Sequence, residues 1–447
     1  MPPRTRAGAF PAAVALTWVA YFGVLQWSVV RFRVPIVLVL TACTLALAWW
    51  QWARPTATAL TSRSAALALL LSAVVAVTVP MFSYLPHTAR TAAVATIAAG
   101  SLACAALLAR PGPRTGPVTL GVAVATYLVG AVTAIVSDPA PRIDVWVTLQ
   151  QAADGMAQGR DIYAMTWRGS PGIQDAFTYL PWTAVLLAPG RWLAGDVRWA
   201  LLVATLVALA CTAALGRWSP LALGSATLLA LAPGSVTQAE QAWTEPLLLA
   251  CLAAWALLVR RGHAWWAVVP LALGCASKQH LALLLPVLAC WPGFGARRAV
   301  ATGALTGALV APWFLASPAD FWHDTVSLLV TFHPIRFANT LFIASRTELG
   351  WTPPFWLTGL AVLGTLALAC WWVHRRRPDL GSLLGWLALV LLVANLVNKQ
   401  AFYNQYWLVG GLVALAIAAS TTDRLQDEPV PTSARAAPAP THRLTTG

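Results

Sequence analysis

Residues 117–137 read PVTLGVAVATYLVGAVTAIVS, and the chain continues Asp138-Pro139-Ala140-Pro141-Arg142-Ile143-Asp144. A helix of this uncharged run is about 30 Å long, the thickness of a bilayer's hydrocarbon core. Lipid offers no partners to backbone N–H and C=O groups, so an apolar run of this length has to pair them internally as a helix. Asp138 closes the run and is the first acid in the chain, since residues 1–137 contain none.

Outward from this stretch, runs of the same kind recur. Spans are read at 12–30, 34–53, 62–84, 91–109, 117–137, 197–216, 219–233, 245–259, 264–277, 281–293, 299–316, 353–373, 380–398 and 404–420. Segment 179–194 carries Pro181 and Pro189 and is either half-inserted or a true span. The first run has no small-residue cleavage site and is expected to be a retained helix. Composition agrees: 59% of the 447 residues are hydrophobic and 10% charged, against roughly 25% charged in soluble proteins. That balance excludes a soluble enzyme, a disordered protein and a nucleic-acid-binding domain. The fold class is all-α, polytopic and transmembrane, with about 13–15 spans. The seven cysteines all lie inside apolar runs and read as small hydrophobes, with no metal or disulfide framework.

The net charge of +14 comes from 27 Arg and 2 Lys against 15 acids. The arginines fall in short clusters, which in an apolar chain are topology signals. With 179–194 taken as re-entrant, Arg4 and Arg6, Arg54 and Arg63, Arg110 and Arg114, Arg217, Arg260–Arg261, Arg297–Arg298, His374 through Arg377 and Arg424 fall on one side, expected to be cytoplasmic. Arg31, Arg33 and Arg90 break the pattern. Eleven acids, Asp138, Asp144, Asp154, Asp161, Asp175, Asp196, Glu240, Glu245, Asp320, Asp324 and Glu348, fall on the other side. The chain divides into N-terminal spans (1–116), a core with the outer loop 138–178 (117–316), a second outer loop with the last spans (317–420), and a tail expected to be disordered and cytoplasmic (421–447).

In the first outer loop, Trp146, Leu149, Ala153 and Met156 recur at helical spacing, opposite Asp144, Thr148, Gln151, Gly155 and Gln158. This predicts an amphipathic helix at the membrane interface, with Asp144 at its start either as a cap or as a functional carboxylate. Asp138 is the other carboxylate positioned at the mouth of a span. The second outer loop opens Ser317-Pro318, an N-cap with Pro at the first helical position. Beyond it, Arg336 either pairs with nearby acids or binds an anionic group.

The two lysines stand in Lys278-Gln279-His280 and Lys399-Gln400, each at the outer end of a helix. They either snorkel or serve as point charges. Around them lie two polar groups in aliphatic surroundings: Gln238, Glu240, Gln241 and Glu245, and Asn395, Asn398, Gln400, Tyr403, Asn404 and Tyr406. Several polar groups at membrane depth suggest a shared hydrophilic site. Trp146, Trp167, Trp182, Trp243 and Trp407 either anchor at the interface or pack on a sugar. Such a cavity suits a lipid-linked sugar: one carboxylate activates an acceptor hydroxyl, and a cation such as Lys278, Lys399 or Arg336 receives the departing phosphate.

The pattern Asp144, Gln151, Gly159, Tyr163, then Phe177-Thr178-Tyr179-Leu180-Pro181 and Pro189, resembles the first loop of the actinobacterial polyprenyl-phosphate-mannose-type mannosyltransferases, glycosyltransferase family 87, of the GT-C fold. Residues Gln238 to Glu245 are similar to that family's polar turn, with Gly and Asn out of register. Lys278 matches a lysine that ends the following helix. The resemblance covers roughly 138–292, and the helices before 117 are additional to the family's first span. It implies an Asp of the first outer loop as catalytic base (Asp144, or Asp138), a polyprenyl-phosphate sugar as donor, and a glycolipid or glycan acceptor. It also implies reaction at the extracytoplasmic face without a cofactor or metal. On this reading Gln151, Tyr163, Tyr179, Gln238, Glu240, Glu245, Gln279, His280, Gln400, Tyr403 and Asn404 line the substrate site. A flippase or transporter of lipid-linked saccharides is the rival, although no internal repeat is visible.

Overall fold

The computed structural model describes residues 9–53, 59–110 and 112–426. Among these residues there are helices and connections and no strand. In order, they are α1 (Ala9–Ser28), α2 (Val34–Ala53), α3 (Ser62–Thr78), α4 (His87–Ala109), α5 (Thr115–Ser137), α6 (Asp144–Ala157), α7 (Trp182–Ala194), α8 (Arg198–Leu215), α9 (Pro220–Ala230) and α10 (Ser235–Glu240). There follow α11 (Glu245–Arg260), α12 (Val268–Ser277), α13 (Leu285–Cys290), α14 (Gly295–Ala316), α15 (Pro318–Trp322), α16 (Leu328–Thr331), α17 (Leu341–Glu348), α18 (Phe355–Arg376), α19 (Leu380–Val397) and α20 (Tyr403–Gln426). Within the described residues, eight helices are long and apolar enough to cross a bilayer: α1, α2, α4, α5, α8, α14, α18 and α19. The chain is an all-α, multi-pass membrane protein whose outer surface contacts lipid.

Burial sorts the spans. In α19, 78% of the apolar window is inside the protein, against 11% in α14 and 17% in α18. Without an apolar–polar contrast between lipid and core, helices associate here by close packing of small residues. Gly190 shows the requirement: a Cβ there would stand 2.8 Å from the Ala200 nitrogen, so only glycine lets α7 turn back onto α8.

Several boundaries differ from expectation. The span expected over 62–84 stops at Thr78, because Pro80 disfavours helical geometry at Val79, which is extended (φ −87°, ψ 123°). Residues 79–86 become a connection instead. The last helix continues through Gln426, and the remainder of the expected tail, 427–447, lies outside the described residues. Pro318 takes the first position of α15, but Ser317 donates its hydroxyl to Asp320 rather than capping the helix.

The segment 179–194 forms α7, and both of its ends are tied to other helices. Its first turn is tied to the end of α12, where the Thr183 hydroxyl donates to the Ser277 carbonyl at 2.6 Å. Its far end leads to Arg198, which donates to the Ile135 and Asp138 carbonyls at the end of α5. Its thirteen residues make about 20 Å of helix, less than the roughly 30 Å of a bilayer's hydrocarbon core.

The amphipathic helix at 144–157 forms as α6, but its polar stripe is largely covered: Thr148 and Gly155 are buried, Asp144 and Gln151 half-buried, and only Gln158, just past the helix, is exposed. The loop 158–178 folds back over α6, with Gln151 gripping the Arg168 main chain through both its amide atoms.

Candidate functional site

Asp144 occupies the first turn of α6, after Ile143 as the N-cap. Its Oδ1 accepts from the N–H of the next residue, Val145, at 2.9 Å, so the carboxylate sits against the positive end of its own helix. Gly172 passes so close that a Cβ there would stand 2.7 Å from Oδ2. Burial pushes the Asp144 carboxyl above the usual range, and the Val145 amide opposes this.

From Asp144 the site continues through Tyr179 to Lys278. The Tyr179 phenol is pushed well up, first by burial and then by the nearby charges of Asp144 and Glu245. Lys278 Nζ lies 5.5 Å from the ring centroid. The same ammonium bonds Glu245 Oε1 at 2.5 Å and the Thr244 hydroxyl at 3.4 Å. Asn404, from α20, donates to the same Glu245 oxygen at 2.8 Å. The first loop, α11, α12 and α20 therefore converge through Asp144, Tyr179, Glu245, Lys278 and Asn404.

A second group adjoins it. Glu240 is fully buried and its Oε1 accepts from the Ser83 hydroxyl and the Tyr84 N–H, at 2.9 and 2.7 Å. Burial, with a contribution from the Asp138 charge, raises its carboxyl to about 7 against those two donors. Arg198, with no exposed surface, holds this corner together. Its guanidinium pairs with Asp196 at 2.7 Å and donates to the main-chain carbonyls of Asp138 and Glu240. Asp138 Oδ2, Glu240 Oε2, Glu245 Oε2, Gln241 Nε2 and both amide atoms of Gln238 are buried without a hydrogen-bond partner among the described residues. A buried orphan polar group costs about 1–3 kcal/mol, so a concentration of them at one place points to a ligand or to water.

Other expected site residues serve the scaffold. The Tyr163 hydroxyl donates to the Tyr179 carbonyl, and Gln279 donates to the Thr178 and Thr325 carbonyls, joining the two outer loops. His280 is half-buried on the turn beside Lys278. Lys399 Nζ donates to the Val330 and Phe332 carbonyls at 2.7 and 2.6 Å, and Gln400 to the His333 carbonyl, so this dipeptide bolts down the second outer loop. Arg336 is exposed on that loop, and no described contact joins it to the Asp144–Lys278 group. Tyr403 stacks on Trp243 at 5.2 Å and donates to the Pro233 carbonyl, with Gly234 at φ +78° making room beneath it.

Sequence reasoning missed Ser83, Tyr84, Arg142, Arg198 and Asp324. Asp324 is buried and its Oδ2 accepts from the Phe177 N–H at 2.7 Å. The available signal was the charge itself: Arg198 opens an otherwise apolar span, a place an arginine occupies only with partners. Among the described residues no set of three or more His, Cys, Asp or Glu is arranged to hold a metal ion. No family model matches the chain, and no curated protein matches it.

Proposed function

We propose that the chain is a membrane glycosyltransferase that moves a sugar, mannose by the resemblance above, from a polyprenyl-phosphate donor to a glycolipid or glycan acceptor at the extracytoplasmic face. The observation that carries this reading is the convergence of Asp144, Tyr179, Lys278, Glu245 and Asn404 on the acid-bearing side of a multi-pass bundle. The arginine clusters on the opposite side support the assignment of that side as extracytoplasmic.

Asp144 has the attributes of a general base. One oxygen is held by its own helix and the carboxyl is shifted upward, toward the pH at which a base works best. In the proposed step Asp144 takes the proton of an acceptor hydroxyl while that oxygen bonds to the anomeric carbon. The bond from that carbon to the phosphate oxygen breaks, and its electron pair leaves with the polyprenyl phosphate. Lys278, beside the Tyr179 ring, is one cation for this step, and Arg142, exposed and two residues before Asp144, is another. Because Lys278 is bonded to Glu245 and Thr244, it acts as a tethered cation with one donor left for the phosphate.

The test is incubation of membranes containing the chain with radiolabelled polyprenyl-phosphate mannose. Expression-dependent appearance of label in a new covalent product supports the reading. Label that crosses the bilayer on an unchanged donor supports a flippase instead, and contradicts it.

A further inference from the structure

The helix α10 is a single polar turn with two unlike sides. At about 100° per residue, Thr237, Gln238, Glu240 and Gln241 share one side, and Val236 and Ala239 take the other. The apolar side is packed, with Ala239 in a cluster with Tyr127, Ala131 and Leu202 and Val236 against Gly130. The polar side faces the connection 79–86. The Thr237 hydroxyl contacts the Met81 sulfur, and Glu240 takes its two donors from Ser83 and Tyr84. Gln238 is 1% exposed and neither of its amide atoms has a partner among the described residues. Gln241 Nε2 and Glu240 Oε2 are in the same condition.

The chemistry of this buried cluster disfavours a phosphate. Asp138 and Glu240 are two acids, and Arg198 beside them is committed to Asp196 and to main-chain carbonyls. Unpaired carboxylate and amide groups close together instead match hydroxyls, each of which donates and accepts. Tyr84 borders this cluster through its bond to Glu240. It is half-exposed, packs edge-on against Phe82, and its phenol feels the charges of Asp144, Glu240 and Arg142.

We propose that the polar side of α10 and the α3–α4 connection over it form the subsite for the neutral, polyhydroxylated acceptor, with Tyr84 at its edge. This rests on the transferase reading for the word acceptor. The binding of a sugar there is testable without it. The N-terminal helices, additional to the spans of the family the sequence resembles, thereby supply a wall of the site.

The experiment is saturation-transfer NMR on the full chain in detergent with methyl α-mannobioside as the probe. Magnetisation transfer to the sugar is expected for the native chain, and should persist when a short-chain polyprenyl phosphate is added. Tyr84→Phe, Glu240→Gln and Gln241→Ala, each checked for monodispersity and an unchanged melting profile, should weaken binding by about tenfold, the loss of one good hydrogen bond. The proposal is overturned if the native chain shows no transfer, if all three variants bind as it does, or if polyprenyl phosphate displaces the sugar. Catalytic competence of Asp144→Asn would remove the base assignment and leave sugar binding intact, so the two failures are separable.

Discussion

Lys278 and Glu245 form an ion pair inside the protein, the lysine at the end of α12 and the acid at the start of α11. The side chains are 12% and 0% exposed, so water does little to weaken the pair. The lysine that the sequence offers as a free phosphate ligand is therefore tethered.

Breaking this pair from one side is expected to be costly. Lys278→Met or Glu245→Leu alone leaves a buried charge, a loss of about 3–5 kcal/mol. Changing both residues together should recover most of it. Thermal melts of the two single variants and the double variant in detergent measure the coupling, and additive losses would refute it.

Glu240 should make stability depend on pH. Its carboxyl is raised in the folded chain to about 7, mainly by burial, so folding favours the protonated form. The contribution is fully present below the ordinary carboxylate range and is lost as pH rises through about 7. The Asp138 charge adds to the shift, while the Ser83 hydroxyl and the Tyr84 N–H oppose it. Melting temperature across about pH 5 to 8 should fall more in the native chain than in Glu240→Gln. Equal slopes would contradict the assignment.

Arg198→Ala should be among the most damaging substitutions in the chain. It removes the partner of Asp196 and the donor to three main-chain carbonyls, at Ile135, Asp138 and Glu240. A loss of about 3–5 kcal/mol is expected from the unpaired buried acid alone. The yield of monodisperse protein and its melting temperature check this.

The identity of the helices was legible because lipid imposes one simple rule on long apolar runs, and 117–137 or 380–397 admit no other structure. The orientation of the polar side chains was less legible. Gln151, Tyr163 and Lys399 carry functional groups that suit a substrate, yet each is used to fix a loop by bonding main-chain carbonyls. Composition cannot separate these uses, because both place a polar group at the membrane face. Glu245, Lys278 and Asn404 were visible as polar residues, but their meeting depends on how α11, α12 and α20 pack. Tyr84 was hidden inside an expected span, and only the early end of α3 at Thr78 brings it over Glu240.

Lys399→Met separates these uses. It should loosen the second outer loop, since two carbonyls lose a charged donor worth about 1.5–3 kcal/mol. Limited proteolysis should cut between 330 and 336 faster than in the native chain. A large drop in affinity for polyprenyl phosphate with the loop still protected would assign Lys399 to the ligand instead.

The central claim is that Asp144 removes the acceptor's proton, and the pre-steady-state rate of sugar transfer by Asp144→Asn tests it most directly. With the donor and acceptor saturating and the variant folded, the rate should fall by about 10²- to 10⁴-fold, the contribution of a positioned base. In the native chain it should fall at low pH with a midpoint above the ordinary aspartate range. Transfer by Asp144→Asn within about twofold of the native rate, on a scale where a base contributes at least 10²-fold, would contradict the account.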